Sequence, residues 1–284
     1  MKEGKPSATA YRVAVRRAAH QIFDHPRVLE DPIALPILGP DAEKRVREAE
    51  SGSRGFASRY SRAFMAARSR FAEDELARAV KRGVSQYVIL GAGLDTFSYR
   101  NPYAASALRV FEVDFPATQA WKRARLAAAG IAEPESLTFA PIDFETQSLA
   151  DGLVPAGFDS GKAAFFSWLG VTMYLTHEAM RTTLSFIASL PASSGVVFDY
   201  GVPREALSWY GRFVFDWMSR RVARVGEPFR LFFEPGALAA ELRQLGFSSI
   251  EDVSAKELNE RYFANRSDKL EVKGRLGRLM NARV

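Results

Sequence analysis

The spacing of apolar positions changes at Gly83. Before it, residues 7–82 carry apolar side chains at helical intervals. The longest stretch, about 59–82, places Phe64, Ala67 and Phe71 on one face, and Gly83 follows where a helix C-terminus favours glycine. Pro26, Pro32, Pro36 and Pro40 divide the earlier part into short helices. Beyond Gly83, short apolar runs alternate with helical stretches. Residues 87–90, 110–113, 137–140, 163–168 and 196–200 read as strands, with two more near 248–253 and 269–273. Helices are predicted at about 115–129, 145–151, 177–189, 203–224 and 235–245, the last ending at Gly246. Strands that are apolar almost throughout belong to a parallel sheet covered on both faces. The pattern predicts an α/β fold: a doubly wound, mostly parallel seven-stranded sheet over 83–284, with an N-terminal helical extension, 1–82, packed on it.

Composition removes several classes of function. The chain has 284 residues, 47% hydrophobic and 25% charged, which excludes disorder, coiled coil and collagen as whole-chain readings. No apolar run reaches the ~20 residues of a membrane span. Cysteine is absent, so disulfides, thiolate metal sites and cysteine nucleophiles are excluded. The three histidines, His20, His25 and His177, do not fall at a metal-ligand spacing, and no metal is expected. Net charge is +6, with Lys and Arg spread along the chain. One C-terminal group (Lys269, Lys273, Arg275, Arg278 and Arg283) is diluted by Asp268 and Glu271 and reads as a solvated surface rather than a nucleic-acid footprint. Residues 1–10 hold two lysines and no apolar run of signal-peptide length, which predicts a cytoplasmic protein without a membrane partner.

The first strand runs into Gly91-Ala92-Gly93-Leu94-Asp95-Thr96. Glycines at i and i+2 permit a tight turn and a close approach by a ligand. The third glycine of the dinucleotide fingerprint is missing. The second strand ends at Asp114, whose carboxylate suits a ribose diol; Asp114-Phe115-Pro116 is equally a helix start with Asp as N-cap. Asp143 and Phe144 follow the third strand, where an acid and a ring could meet an adenine, and where a turn aspartate would also stand. Arg68 lies on the apolar face of the long helix. A buried guanidinium needs either an internal carboxylate or an anionic ligand.

Four segments stand in order: Ala67-Arg68-Ser69-Arg70-Phe71, the run from Val88 through Gly91-Ala92-Gly93 to Thr96, Phe111-Glu112-Val113-Asp114, and Val171-Thr172-Met173-Tyr174-Leu175-Thr176. With them the sequence resembles the leucine carboxyl methyltransferase-like family of S-adenosylmethionine-dependent methyltransferases, from about residue 10 to the C-terminus. The resemblance implies a class I methyltransferase sheet of Rossmann-like form and S-adenosylmethionine as cofactor. It implies that Arg68 pairs with the cofactor carboxylate, that Gly91, Ala92 and Gly93 pass beneath its methionyl-ribosyl part, and that Asp114, with Phe115 beside it, holds the ribose diol. Asp143 and Phe144 would flank the adenine, with Trp168 in the same cofactor-binding set. Many relatives carry glutamate, near the cofactor's amino group, where this chain has Leu169.

Methyl transfer from a sulfonium needs alignment and excluded water, and a base only for a weak nucleophile. A carboxylate acceptor needs none; for a hydroxyl, Tyr174 and His177 are the candidates, although His177 is also an ordinary first-turn residue and Tyr174 also reads as core. The Asn/Asp-Pro-Pro-aromatic stretch frequent in methyltransferases of base amino groups is absent after the fourth strand. Trp209, Phe213 and Trp217 form a stripe, with Tyr210 and Phe215 beside it, that reads mainly as core and in part as the wall of an apolar acceptor pocket. The expectation is an O-methyltransferase of a small, apolar molecule. A nicotinamide-dependent oxidoreductase and a non-catalytic cofactor-binding domain are the alternatives.

Overall fold

The computed structural model describes residues 7–51, 54–144, 146–223 and 228–284. The two opening lysines, position 145 of the predicted 145–151 helix, and the Tyr210 side chain lie outside this set. The N-terminal part folds as α1 (Ala8–Phe23), α2 (Ala42–Glu50) and α3 (Arg54–Lys81). Ser7 starts α1 by accepting from the Ala10 N–H at 3.2 Å. Gly83, at φ +91°, ends α3.

Seven strands follow: β1 (Gln86–Leu90), β2 (Arg109–Asp114), β3 (Leu137–Pro141), β4 (Ala164–Trp168), β5 (Gly195–Gly201), β6 (Ser249–Val253) and β7 (Gly277–Arg283). Their order is β3-β2-β1-β4-β5-β7-β6. The strands β1 to β5 pair in parallel, and β7 runs antiparallel between β5 and β6. Helices α4 (Pro116–Ala128), α5 (Leu149–Leu153), α6 (His177–Ala188), α7 (Trp209–Ala223), α8 (Pro235–Leu245) and α9 (Ala255–Tyr262) complete the fold. The expected doubly wound, mostly parallel seven-stranded sheet is present.

Alternation along the strands divides the core. Val88, Leu90, Phe166, Trp168, Phe198 and Tyr200 face α5, α6 and α8. Tyr87, Ile89, Phe165 and Val197 face α3 and α9, so the long helix shares a core with the sheet. A third cluster joins Ala14, Ala18 and Ala19 of α1 and Leu126 of α4 to Leu94 of the glycine loop. The N-terminal helix is thereby packed on the candidate site.

Several expectations need correction. No strand forms at 269–273. Leu270 and Val272 are buried and alternate like a strand, but Asn259 of α9 bonds both the N–H and the carbonyl of Val272. The last strand is instead β7, whose polar ends conceal it. The predicted 203–224 helix breaks at 207–208 into a short 3-10 turn and α7. Ser254 and Glu257 form a capping box that starts α9, a helix the apolar pattern does not predict.

The stripe of Trp209, Phe213 and Trp217 is not core. These side chains are 82%, 68% and 53% exposed. Phe215, about 200° round the helix from Phe213, packs inward against Phe232.

Candidate functional site

The carboxyl ends of β1, β2, β4 and β5 bring together most of the residues singled out above. Leaving β1, the chain turns at Gly91 (φ +65°) and Gly93 (φ +51°), a backbone region that side chains other than glycine rarely adopt. The Ala92 N–H donates to the Val113 carbonyl at 3.0 Å, holding the turn against β2. Asp114 closes β2. Its Oδ2 accepts from the Gly93 N–H at 2.5 Å and its Oδ1 from the Phe115 N–H at 2.7 Å. Asp114 is not the N-cap of α4; Phe115 holds that position and Pro116 starts the helix. The carboxylate faces the glycine turn. Burial pushes its pKa up to about 6, against the two backbone N–H groups that stabilise its charge.

Both glycines are approached closely, and by protein atoms. A Cβ on Gly91 would lie 2.3 Å from Val171 Cγ2, and one on Gly93 would lie 3.1 Å from Ala10 Cβ of α1. The glycine loop is also braced from the N-terminal side. Arg17 of α1 donates to Asp31 at 2.5 Å, to Thr96 at 2.6 Å and to Asp95 at 3.0 Å. Burial works against the Arg17 charge, but Asp31 and Asp95 raise its pKa. Burial likewise favours the neutral form of Asp95, yet Arg17, Lys122 and Arg100 hold its carboxyl below the ordinary range. Beneath the loop, Lys122 of α4 and Glu112 of β2 form a fully buried pair at 2.5 Å.

Arg68 is buried and finds its carboxylate in Asp199 of β5, Nη1 to Oδ2 at 2.6 Å. The other Asp199 oxygen accepts from the Gly170 N–H at 2.5 Å. Gly170 and Val171 form one step of chain between the two halves of the site, one residue against Arg68 and the other against Gly91. A chain of direct contacts thus links Arg68 through Gly170 and Val171 to Gly91, and Gly93 of the same turn to Asp114.

The adenine candidates are placed less closely. Asp143 and Phe144 are half-buried past the end of β3. The ring of Phe144 lies 6.4 Å from that of Trp168. Trp168 itself is fully buried, and its indole N–H has no bond partner. Tyr174 stacks at a tilt on Phe229, 5.6 Å between centroids. His177 opens α6 at the surface, with Nε2 3.0 Å from Glu241 and its ring 5.8 Å from Phe233.

Sequence reasoning missed two groups. Asp199 stands in an otherwise apolar strand, and a lone acid there is a signal that a cation waits opposite. The segment carrying Phe229, Phe232 and Phe233 follows α7. It is tied down by the Arg230 N–H to the Met173 carbonyl at 2.8 Å and by the Phe233 N–H to the Gly201 carbonyl at 2.9 Å. Its aromatic spacing has no period that marks it.

The donor set fits an adenosyl group bearing an amino acid. A carboxylate held between two backbone N–H groups can take a diol, and a buried guanidinium with one unpartnered N–H can meet a carboxylate.

Comparison with known proteins agrees. The leucine carboxyl methyltransferase family model matches residues 10–188. The "Putative S-adenosyl-L-methionine-dependent methyltransferase YktD" of Bacillus subtilis (strain 168) is 32% identical over 291 residues, covering 95% of each chain. A Mycobacterium avium (strain 104) relative whose name assigns it the same activity is 33% identical over 206 residues, 70% of this chain and 67% of its own. Among solved structures, a DUF574 family protein from Streptomyces avermitilis is 18% identical and covers 87% of this chain and 94% of its own. Its TM-score of 0.52 shows a shared fold. With the family match and a relative that spans nearly the whole chain, this protein belongs to the leucine carboxyl methyltransferase family of S-adenosylmethionine-dependent methyltransferases.

Proposed function

We propose that the protein transfers the methyl group to an oxygen of a small, largely apolar acceptor, a carboxylate or a hydroxyl. The carrying observation is the aromatic strap over the carboxyl ends of β4 and β5. Phe229, Phe232 and Phe233 cross there, on a backbone bonded to Met173 and Gly201, with the Phe229 ring against Tyr174 and Phe232. Such a wall recognises shape and apolar area rather than charge.

When bound, S-adenosylmethionine supplies a methyl group on a positively charged sulfur, a leaving group that needs no further activation. The residues of the chain align and shield it. Asp114 would accept hydrogen bonds from the ribose hydroxyls, Arg68 would face the carboxylate, and Gly91 to Gly93 would run beneath. Phe144 and Asp143 would flank the adenine, and Trp168 backs Phe144. Val171 and Ala10 cover the glycine turn and exclude water. A carboxylate acceptor reacts without a base. For a hydroxyl, His177 takes the proton, its Nε2 held by Glu241 and its ring on Phe233, while Tyr174 orients the acceptor.

Methyl-labelled S-adenosylmethionine incubated with a panel of aromatic and aliphatic acids, phenols and alcohols tests this reading. Label released as methanol in mild alkali marks an ester, and alkali-stable label on oxygen marks an ether. Label found on nitrogen, sulfur or carbon contradicts it. His177→Asn should slow transfer to hydroxyls and leave transfer to carboxylates unchanged.

A further inference from the structure

The buried pair of Arg68 and Asp199 is a costly way to join a helix to a strand. Two charges taken out of water are no more stable than a well-packed apolar pair of the same volume. Both side chains are nevertheless almost fully enclosed, at 5% and 2% exposure. The surrounding backbone is arranged to keep them there. Gly170, at φ +76°, lies so close that a Cβ on it would sit 2.9 Å from Arg68 Nη2. Its N–H fixes one carboxylate oxygen of Asp199, and the Thr172 hydroxyl donates to the Asp199 carbonyl at 2.6 Å. The pair is also incompletely satisfied, because the buried Arg68 Nε–H has no partner. A buried donor without an acceptor is destabilising, a loss that a ligand acceptor would recover.

We propose that Asp199 receives the α-ammonium group of the cofactor's amino-acid end, beside the Arg68 guanidinium that faces its α-carboxylate. This rests on the cofactor placement given above. An amino-acid terminus carries one charge of each sign, and the clamp carries the complementary two. The buried region is thus neutral with or without ligand, and neither protein charge is left uncompensated. Asp199 can serve because each of its oxygens accepts one hydrogen bond and retains a further lone pair. The exit of β4, Trp168-Leu169-Gly170-Val171, has no acid of its own, and Leu169 packs into the core on the α3 side. The carboxylate at this exit comes instead from the neighbouring strand. The β4–β5 register pairs Trp168 with Phe198, which brings Asp199 level with the exit.

Calorimetric titration of the full chain with three ligands tests the assignment. They are S-adenosylhomocysteine, its analogue with the amino group replaced by hydrogen, and methylthioadenosine, which lacks the amino-acid end. The native chain should prefer S-adenosylhomocysteine over the deaminated analogue by about ten- to hundredfold, the value of a charge-assisted hydrogen bond. Asp199→Asn should lose that factor toward S-adenosylhomocysteine and keep native affinity for the other two. Equal affinity of the native chain for the first two ligands overturns the proposal, and this comparison stands even if the variant does not fold. An Asp199→Asn chain that binds all three as the native chain does, or weakens toward all three alike, also overturns it. A native chain that binds none of the three overturns the cofactor placement itself, a different failure.

Discussion

The two ends of the site are built differently. On the side proposed for the cofactor, buried charges are paired across elements: Lys122 with Glu112, Arg17 with Asp31 and Asp95, and Arg68 with Asp199. On the side proposed for the acceptor, the structure is aromatic and partly open: Phe229, Phe232 and Phe233 in the strap, and Trp209, Phe213 and Trp217 largely exposed. A polar nucleoside has many groups to satisfy, and satisfying them demands fixed donors and acceptors. An apolar acceptor demands volume and shape. The first kind of site resists change at single atoms, and the second tolerates it.

Substitutions can break that contrast. The largest loss is expected for Lys122→Met, which strands Glu112 at 0% exposure; unfolding in urea should show a loss of about 3–5 kcal/mol. A loss below about 1 kcal/mol would mean the pair is dispensable. Arg17→Ala should cost slightly less, about 3 kcal/mol, because Arg100 stands 3.7 Å from the Asp31 it leaves behind. Gly91→Ala should follow at about 1–3 kcal/mol, from the positive φ and the clash with Val171. Gly91→Ala with Val171→Ala should regain the steric part only, so a complete recovery would deny the backbone strain. Smallest of all, Phe213→Ser should change stability by no more than about 0.5 kcal/mol. A larger loss would put that stripe against protein rather than water.

The same contrast governs what the sequence reveals. The glycine turn, Asp114 and the end of α3 are local signals: a strand, a turn chemistry and an acid at a fixed distance. Arg68 is recognisable as a cation on an apolar face, but its partner lies 131 residues away. Nothing in spacing connects the two until α3 is seen to pack on β5. The aromatic stripe on α7 misleads because periodicity defines a face without saying what covers it. Leu270 and Val272 mislead because burial and alternation do not require a ladder once Asn259 bonds the backbone. The capping box at Ser254 was a legible sign of α9, overshadowed by the absence of an apolar period.

Asp114 offers the most direct test of how the cofactor is held. Its folded pKa is raised from 3.8 to about 6, so the unfolded chain loses this proton first. Stability of the ligand-free chain should therefore decline as pH rises through that window. Cofactor affinity should move in the opposite direction, because the ionised carboxylate is the better acceptor for a diol. Titration with S-adenosylhomocysteine from pH 5 to 8 should show full affinity above about 6 and a fall of up to about tenfold per pH unit below it. Asp114→Asn should bind at least about tenfold more weakly at pH 8, with a flat profile. An Asp114→Asn chain that keeps both the native affinity and the native pH dependence would contradict the account.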